Sequence, residues 1–239
     1  MDYFNPAFLA LLHSGAISLD FAYDDFTSYG DQGAVDAVYV PNDSAQMRGD
    51  ITNDRLNYNA IADSTNDSIA RALGGNASDT AWILRLRYKM TAQSKNGSGY
   101  EMFPVIGLSS LSQASAESAN QDSISFSAYQ DNLTRPYHHN ASDSARMFGA
   151  TNVTFSETAT VNDDYRLELK RLSATSSNAQ LFSDAYSTSV ESKGLTIPST
   201  VLSLAYFVVR NGSPTPNQSG SQTGWLDDIG FQNGVTTWV

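Results

Sequence analysis

The sequence predicts an all-β protein, an antiparallel two-sheet sandwich of the jelly-roll kind that carries one short helix near its N-terminus. From Ile17 onward apolar residues recur at every second position, which is the period of strands with one buried face. Turn sequences rich in glycine and asparagine separate these short runs. A chain of 239 residues is long enough to enclose one sizeable sandwich core. We therefore expect an N-terminal arm over residues 1–16 and a single β-sandwich domain over residues 17–239.

The N-terminal arm carries the signals of a short helix. Asn5 suits an N-cap, Pro6 suits the first helical position and Gly15 suits the residue after the last turn, so residues 6–14 are predicted to be helical. Its apolar side chains need a cover, and two interpretations stay open. They pack against the chain's own sandwich, or they dock a partner through Phe8, Leu9, Leu11 and Leu12.

The strand pattern is clearest over residues 81–91. Five apolar residues alternate there with basic ones, which indicates a strand with one buried and one wet face: Trp82, Leu84, Leu86, Tyr88 and Met90 against Arg85, Arg87 and Lys89. Similar alternation occurs at residues 56–58, 124–128, 153–155 and 165–170. Residues 201–209 are more continuously apolar, which predicts a strand covered on both sides. Residues 135–140, which contain His138 and His139, are predicted to form a loop because of their proline and asparagine.

Charge and composition exclude several classes of protein. The chain has 25 acidic and 14 basic residues, a formal net charge of −11, which repels phosphate backbones and argues against nucleic acid as a partner. Cysteine is absent, so disulfides and thiolate chemistry are excluded. No lysine or arginine precedes Arg48, so the basic region of a signal peptide is missing. No segment is long and apolar enough to span a bilayer. We expect neither a Sec-type signal peptide nor membrane insertion.

Several segments, taken in order, resemble a known superfamily. They are YDDF at 23–26, NDSIA at 66–70, DTAWILR at 79–85, GLS at 107–109, YRLELKR at 165–171, LFSD at 181–184 and WLDDIGF at 225–231. Together they resemble the concanavalin A-like lectin and glucanase superfamily in its laminin G-like form. The resemblance implies two apposed antiparallel sheets whose first and last strands are neighbours. The chain is also similar to lectin-like surface proteins of marine viruses and microbes.

Catalytic signals are weak in the sequence. Hydrolases of this superfamily carry alternate carboxylates on one strand, whereas the glutamates here are isolated from one another: Glu101, Glu117, Glu157, Glu168 and Glu191. No Gly-x-Ser-x-Gly sequence offers a nucleophile elbow. On these grounds we predict no catalytic residues and expect that the chain is not an enzyme, and glycan hydrolysis is the least favoured function.

Paired aspartates suggest a metal site. Asp24 and Asp25 lie on the predicted first strand, and Asp227 and Asp228 lie on the last. An unpaired inward carboxylate is costly, and calcium, which prefers several oxygen ligands, would remove that cost. The resemblance implies a calcium site of this kind, with Asp25 and Asp228 as its leading ligands. The alternative is that these carboxylates accept backbone hydrogen bonds or face water.

Glycan recognition needs an exposed aromatic ring beside polar hydrogen-bonding groups. The candidates in predicted loops are Tyr100, Tyr129, Tyr137 with Asn140, and Trp238. Tyrosine and tryptophan in a sandwich also serve as core residues, so this alternative stays open for each of them.

Two functions follow as hypotheses. In the first, the protein is a non-enzymatic structural or decoration module of a virus particle or similar surface assembly, and its partners are copies of itself or a capsid or shell protein. In the second, it is a calcium-assisted lectin module that attaches to host surface glycans. Both place the protein on a virion or on an extracellular surface.

Overall fold

The computed structural model describes residues 21–42, 47–61, 67–94, 101–112, 121–130, 136–145, 151–211 and 221–239. Within these ranges the chain forms one helix, α1, and fifteen strands. Helix α1 spans Gln32–Val38. The strands are β1 (Phe21–Asp24), β2 (Val40–Pro41), β3 (Met47–Asp50), β4 (Arg55–Ile61), β5 (Ser68–Ala72), β6 (Trp82–Ser94), β7 (Glu101–Ser109), β8 (Gln121–Gln130), β9 (Pro136–Ala145), β10 (Thr151–Thr158), β11 (Asp164–Ser173), β12 (Ser176–Phe182), β13 (Ser189–Thr196), β14 (Tyr206–Arg210) and β15 (Ser221–Asn233).

The strands form two antiparallel sheets, which confirms the predicted jelly-roll sandwich. Sheet A has the order β13-β12-β11-β6-β15-β4-β3, and β1 pairs with β15 beyond this path. Sheet B has the order β10-β9-β8-β7-β14-β5-β2. The pairing of β1 with β15 places Phe21 opposite Phe231, so the predicted contact between the first and last strands is confirmed.

The core lies between the two sheets and follows the alternation of the sequence. On β6, Trp82, Leu84, Leu86, Tyr88 and Met90 are fully buried. Leu167 and Leu169 of β11 lie opposite Leu86 and Leu84, so neighbouring strands turn the same face inward. Sheet B supplies Ile124, Phe126 and Phe207 from the other side. These residues fix which face of each sheet points to the core and which points outward.

Tyrosines in this core keep hydrogen-bond partners. The Tyr88 hydroxyl donates to Gln222 Oε1 at 2.9 Å, and the Tyr137 hydroxyl donates to Asp163 Oδ2 at 2.6 Å. The Tyr88 and Tyr137 rings meet edge to face with centroids 6.0 Å apart. Burial raises the pKa of both hydroxyl groups, so they remain protonated donors.

A carboxylate links the two sheets at one edge of the sandwich. Glu191 of β13, on sheet A, accepts hydrogen bonds from the backbone N–H groups of Ser156 and Glu157 on β10 of sheet B, at 2.9 Å. Lys193 pairs with the same carboxylate at 2.9 Å. These hydrogen bonds satisfy exposed edge N–H groups and tie the two sheets together.

The structure corrects three local predictions. Helix α1 was not predicted; it is capped by Asp31, whose side chain accepts from the Ala34 N–H, and its Val35 packs onto Gly49 of β3. The predicted loop at 135–140 is wrong over residues 136–140, which begin strand β9; Pro136 occupies the first position and needs no ladder donor. The strand predicted at 201–209 is shorter in the structure, where only Tyr206–Arg210 form a strand, β14. This strand is covered on both sides, as predicted.

Other predictions concern the part of the chain before residue 21. The arm over residues 1–16, its helix and the docking residues Phe8, Leu9, Leu11 and Leu12 lie outside the described residues. The boundary between arm and sandwich therefore stays a prediction. Among the described residues, no helix has the length and apolar character needed to span a bilayer.

Candidate functional site

The outer face of sheet A carries most of the basic side chains of the sheet. Because alternate residues of β6 point away from the core, Arg85, Arg87 and Lys89 share this face. Strand pairing sets Trp225 of β15 opposite Lys89, and the next outward residue, Asp227, lies opposite Arg87. We call this surface the basic–aromatic face; it comprises Arg48, Arg55, Arg85, Arg87, Lys89, Arg166 and Lys170 together with Tyr186, Trp225 and Trp238.

The first aromatic residue of this face, Trp225, has two guanidinium neighbours. Arg87 Cζ lies 4.9 Å from the Trp225 ring centroid and Arg55 Cζ lies 5.5 Å from it. Arg55 Nε also donates to Asn57 Oδ1 at 2.9 Å, which fixes the guanidinium beside the ring. Distances of this size allow cation–π attraction. Trp225 is partly exposed, so ring and guanidinium groups form one accessible surface.

A second stack surrounds Arg85. Its Cζ lies 4.2 Å from the Tyr186 ring centroid and 4.9 Å from that of Trp238. Tyr186 comes from the turn between β12 and β13, where its backbone has a positive φ of 66°. Its hydroxyl donates to the Leu86 carbonyl at 3.2 Å, which holds the ring over β6. The turn itself is closed by Asp184, whose carboxylate accepts from the Ser187 and Thr188 N–H groups at 2.9 Å.

Trp238 reaches the face because the segment after β15 folds back onto it. The Gln232 side chain donates to the Val239 carbonyl at 2.8 Å and accepts from the Val239 N–H at 3.1 Å. The Gly234 N–H donates to the Ala81 carbonyl at 2.9 Å. These bonds place residues 234–239 beside the start of β6 and so bring Trp238 to Arg85.

Carboxylates hold several of the guanidinium groups in position. Glu168 of β11 pairs with Arg85 at 2.6 Å and with Lys170 at 2.8 Å, and it is only 4% exposed. Asp164 accepts from both Nε and Nη2 of Arg87, at 2.9 and 2.8 Å. Such bidentate pairs fix orientation as well as charge. Glu168 thus pairs across the strands with Arg85 and along its own strand with Lys170, and it is buried between these two partners.

Strand β15 is irregular where it crosses the face. Its register with β6 shifts between Asp227 and Gly230, and Asp228 has a positive φ of 50°. A bulge of this kind redirects side chains and is common beside functional sites. Asp228 pairs with Arg166 at 3.4 Å, while its N–H donates to Asp227 Oδ1 at 2.8 Å. Burial raises the pKa of Asp227, and the charges of Asp228 and Asp25 act in the same direction, against Arg87.

Two of the four predicted metal ligands are engaged elsewhere. Asp24 Oδ2 pairs with Arg71 at 2.6 Å and accepts from the hydroxyls of Tyr29 and Tyr39, while its Oδ1 accepts from the Phe26 N–H.

Asp25 Oδ1 accepts from the N–H and the hydroxyl of Thr27. Across the described ranges no three His, Asp or Glu side chains are grouped closely enough to hold a metal ion, so Asp24, Asp25, Asp227 and Asp228 do not form a ready ligand set. Calcium therefore stays a prediction from the resemblance, and no step below depends on it.

The predicted glycan-binding residues divide into three groups. Trp238 lies on the basic–aromatic face. Tyr137 and Asn140 are fully buried in β9, where Tyr137 packs in the core, so neither offers the exposed platform that was predicted for them. Tyr100 and the side chain of Tyr129 fall outside the described part of the chain.

Three residues of the site were missed at the sequence level. Arg55, Tyr186 and Trp225 were not singled out, although Trp225 lies in a segment that carries the family resemblance. The alternation that places Arg85, Arg87 and Lys89 on one outward face was visible and was interpreted only as a wet strand face. What could have found the site is this run of three basic residues in a chain that is otherwise acidic.

Comparisons with known proteins support the fold. No family model matches the chain, and no curated protein matches it. Among solved structures, an alginate lyase in complex with an alginate trisaccharide is 10% identical, with a TM-score of 0.53, over 89% of this chain and 97% of that one. A carbohydrate esterase from Shiga toxin-encoding bacteriophage phi24B is 12% identical, with a TM-score of 0.54, over 92% and 100%. The lectin UEA-II, complexed with galactose, is 12% identical, with a TM-score of 0.51, over 90% and 100%.

One prediction is overturned by these comparisons. We expected that the chain is not an enzyme, yet an alginate lyase and a carbohydrate esterase share its fold over nearly their whole length. The isolated glutamates were the wrong criterion, because they tested for one pattern of glycan hydrolysis alone. The chain has the jelly-roll sandwich fold that is found in carbohydrate-binding lectins and in carbohydrate-active enzymes alike.

Proposed function

We propose that the protein binds a carbohydrate chain along the basic–aromatic face. The observation that carries the proposal is the row of side chains on β6 and its neighbours, where Arg85 and Arg87 each lie within 5 Å of an aromatic ring centroid. Aromatic rings pack against the apolar faces of sugars, and guanidinium groups donate several hydrogen bonds in a fixed plane. Both requirements for binding a sugar are met on one surface.

The face is also fixed before any ligand arrives. Glu168 and Asp164 hold the guanidinium groups of Arg85 and Arg87, and the Tyr186 hydroxyl is bonded to the Leu86 carbonyl. Binding to fixed groups loses less conformational entropy than binding to groups that must be ordered first. The fold adds support, since a lectin in complex with galactose and an alginate lyase in complex with an alginate trisaccharide have the same sandwich.

Replacing Trp225 tests this function. We expect Trp225→Ala to weaken carbohydrate binding about tenfold or more, since removing a central aromatic contact commonly costs more than about 1 kcal/mol. The matched control is Tyr206→Ala, which removes a partly exposed aromatic ring from the outer face of sheet B. Affinity electrophoresis against a panel of neutral and charged polysaccharides measures both variants. Equal binding by the Trp225 variant and the unchanged chain would contradict the proposal that carbohydrate binds to the basic–aromatic face.

A second function, chemistry on the bound carbohydrate, is favoured by Asp227. Its carboxyl group is half-buried on the same face, lies opposite Arg87, and has a raised pKa because of burial. A carboxyl group that keeps its proton to higher pH can protonate a leaving glycosidic oxygen. We therefore propose Asp227 as the proton-transferring group of any reaction at this site.

Substitution of Asp227 distinguishes chemistry from binding. If the protein cleaves a polysaccharide, we expect Asp227→Asn to retain binding and to lower the rate of cleavage about a hundredfold or more. The release of new sugar ends, assayed over a range of pH, measures this rate. Asp143→Asn is the matched control, because its exposed carboxylate lies on β9 of sheet B, away from the face. Full cleavage by the Asp227 variant would exclude the assigned role, and an unchanged chain that cleaves no member of the panel would exclude the second function.

The assembly function remains a separate proposal. Presentation of a carbohydrate-binding face on a virus particle or similar surface is supported by the shared fold of a bacteriophage carbohydrate esterase. Self-association or docking to a shell protein through Phe8, Leu9, Leu11 and Leu12 concerns residues outside the described ranges.

A further inference from the structure

We infer that the carbohydrate bound by the basic–aromatic face is an acidic glycan, a chain bearing carboxylate or sulfate groups. This inference rests on the proposed function and adds the chemical class of the ligand. The fold leaves that class open, because the lectin that shares it is complexed with galactose, a neutral sugar, and the lyase with an alginate trisaccharide.

The first step is the distribution of charge over the chain. The face carries seven of the fourteen basic residues, Arg48, Arg55, Arg85, Arg87, Lys89, Arg166 and Lys170. Seven acidic residues lie beside them. Strand register places Asp50, Asp164, Glu168 and Asp227 on the same side of sheet A. Asp228 pairs with Arg166, Asp36 pairs with Arg48, and the charge of Asp25 acts on Asp227. The face therefore has a formal charge of 0, while the rest of the chain, with seven basic and eighteen acidic residues, has −11.

This segregation selects among ligands. An anionic polymer is repelled by the remaining surface, and charges about 10 Å apart still interact at 0.1 M salt. On the face itself the repulsion is absent. A neutral glycan gains nothing from such a distribution, whereas an acidic glycan is directed to this one surface.

The second step concerns Arg55, which has no acidic partner in any ion pair among the described residues. Its Nε donates to Asn57 Oδ1, and its guanidinium lies 5.5 Å from the centroid of Trp225. The Asp50 carboxylate, which lies opposite Arg55 across the strand pair, accepts instead from the Asn57 and Asn53 amides. Arg55 thus keeps donors for a ligand.

A planar guanidinium binds carboxylate or sulfate oxygens through parallel hydrogen bonds. A sugar ring packed against Trp225 would place an acidic substituent within reach of Arg55 on one side and Arg87 on the other. Arg87 is held by Asp164, which accepts from its Nε and Nη2, so its remaining N–H donors are available without a new orientation. The pair of arginines beside one aromatic ring is the feature that a neutral sugar does not require.

The experiment compares matched polymers. Polygalacturonate is compared with its carboxyl-reduced form, and dextran sulfate with dextran, by isothermal titration at 50 and 200 mM salt. We expect at least tenfold tighter binding to one or both acidic members than to their neutral forms, and weaker binding at higher salt. The two pairs distinguish carboxylate from sulfate as the recognised group.

Two variants test the residues. We expect Arg55→Gln to lower affinity for the acidic polymer about tenfold while leaving any binding to its neutral form unchanged. Lys193→Gln is the control, because it removes one positive charge from β13, away from the face. Equal losses for both variants would mean that net charge, and not this site, governs binding, and would overturn the inference.

The remaining outcomes separate the two claims. Equal binding of acidic and neutral polymers, independent of salt, overturns the acidic-glycan inference and leaves the proposed function standing. Absence of binding to every polymer in this set and in the wider panel removes the proposed function itself. Tighter binding of a single-stranded oligonucleotide than of either acidic glycan would also overturn the inference, since it would identify phosphate as the recognised group.

Discussion

Gly107→Ala is expected to lower the free energy of unfolding by about 3 kcal/mol, because strand β7 approaches its neighbour too closely for any side chain at this position. A Cβ on Gly107 would meet the backbone carbonyl oxygen of Ile124 and would lie 2.7 Å from Ser125 Cα. Both are backbone atoms of β8 and cannot rotate away. The pairing of β7 with β8 has to open to admit the methyl group, which weakens the centre of sheet B.

Gly194 provides the matched control. It is also a strand glycine, in β13, but a Cβ there meets no atom within 4 Å. Gly194→Ala is expected to leave stability unchanged or to raise it by up to about 1 kcal/mol, since alanine loses less chain entropy than glycine on folding. Urea unfolding followed by tryptophan fluorescence measures both variants. Similar midpoints for the two would contradict the close approach of β7 and β8.

Acidification is expected to cost about 3 kcal/mol of stability between pH 6.5 and 4 through one buried histidine. His139 is fully buried, and burial lowers its pKa from 6.5 to about 4. In this interval the unfolded chain binds a proton that the folded chain excludes, so the free energy of unfolding falls as the pH falls. The loss begins below the unfolded pKa and is complete near the folded one.

The hydrogen bonds of His139 agree with a neutral ring. Nδ1 lies 3.2 Å from the Ser125 carbonyl oxygen, which only accepts, so Nδ1 carries the proton. Nε2, at 2.8 Å from Ser177 Oγ, then accepts from the serine hydroxyl. A second proton, on Nε2, would break the hydrogen bond that the Ser177 hydroxyl donates to it. No carboxylate is among the hydrogen-bond partners of this ring to stabilise the resulting positive charge.

Replacement of His139 isolates this contribution. We expect His139→Gln to flatten the dependence of the unfolding free energy on pH between 6.5 and 4, whatever its effect on stability at pH 7. Chemical denaturation at several pH values measures this slope. Below pH 4 both proteins should lose stability together, because carboxyl groups with lowered pKa values, such as Asp164 and Glu191, then become protonated. An unaltered slope in the variant would show that His139 is not the group responsible.

Period-two alternation was sufficient to predict the architecture, because it is a local property of the chain. It correctly predicted the two faces of β6, with Leu84 and Leu86 inward and Arg85 and Arg87 outward. The resemblance correctly predicted that β1 and β15 are neighbours. Alternation failed for β9, where proline and asparagine suggested a loop, because pairing with β8 outweighed these local preferences.

The sequence by itself determined that the protein is a two-sheet sandwich and which side chains of strands such as β6 and β11 face outward, since both follow from the two-residue period. Only the tertiary structure decided which strands flank β6, and so brought Trp225 and Glu168 to the same surface as Arg85 and Arg87. It also directed Asp24 to Arg71 and folded Tyr186 over Arg85. These contacts join residues far apart in the chain, and their pairing depends on the packing of the whole sandwich, which no local pattern encodes.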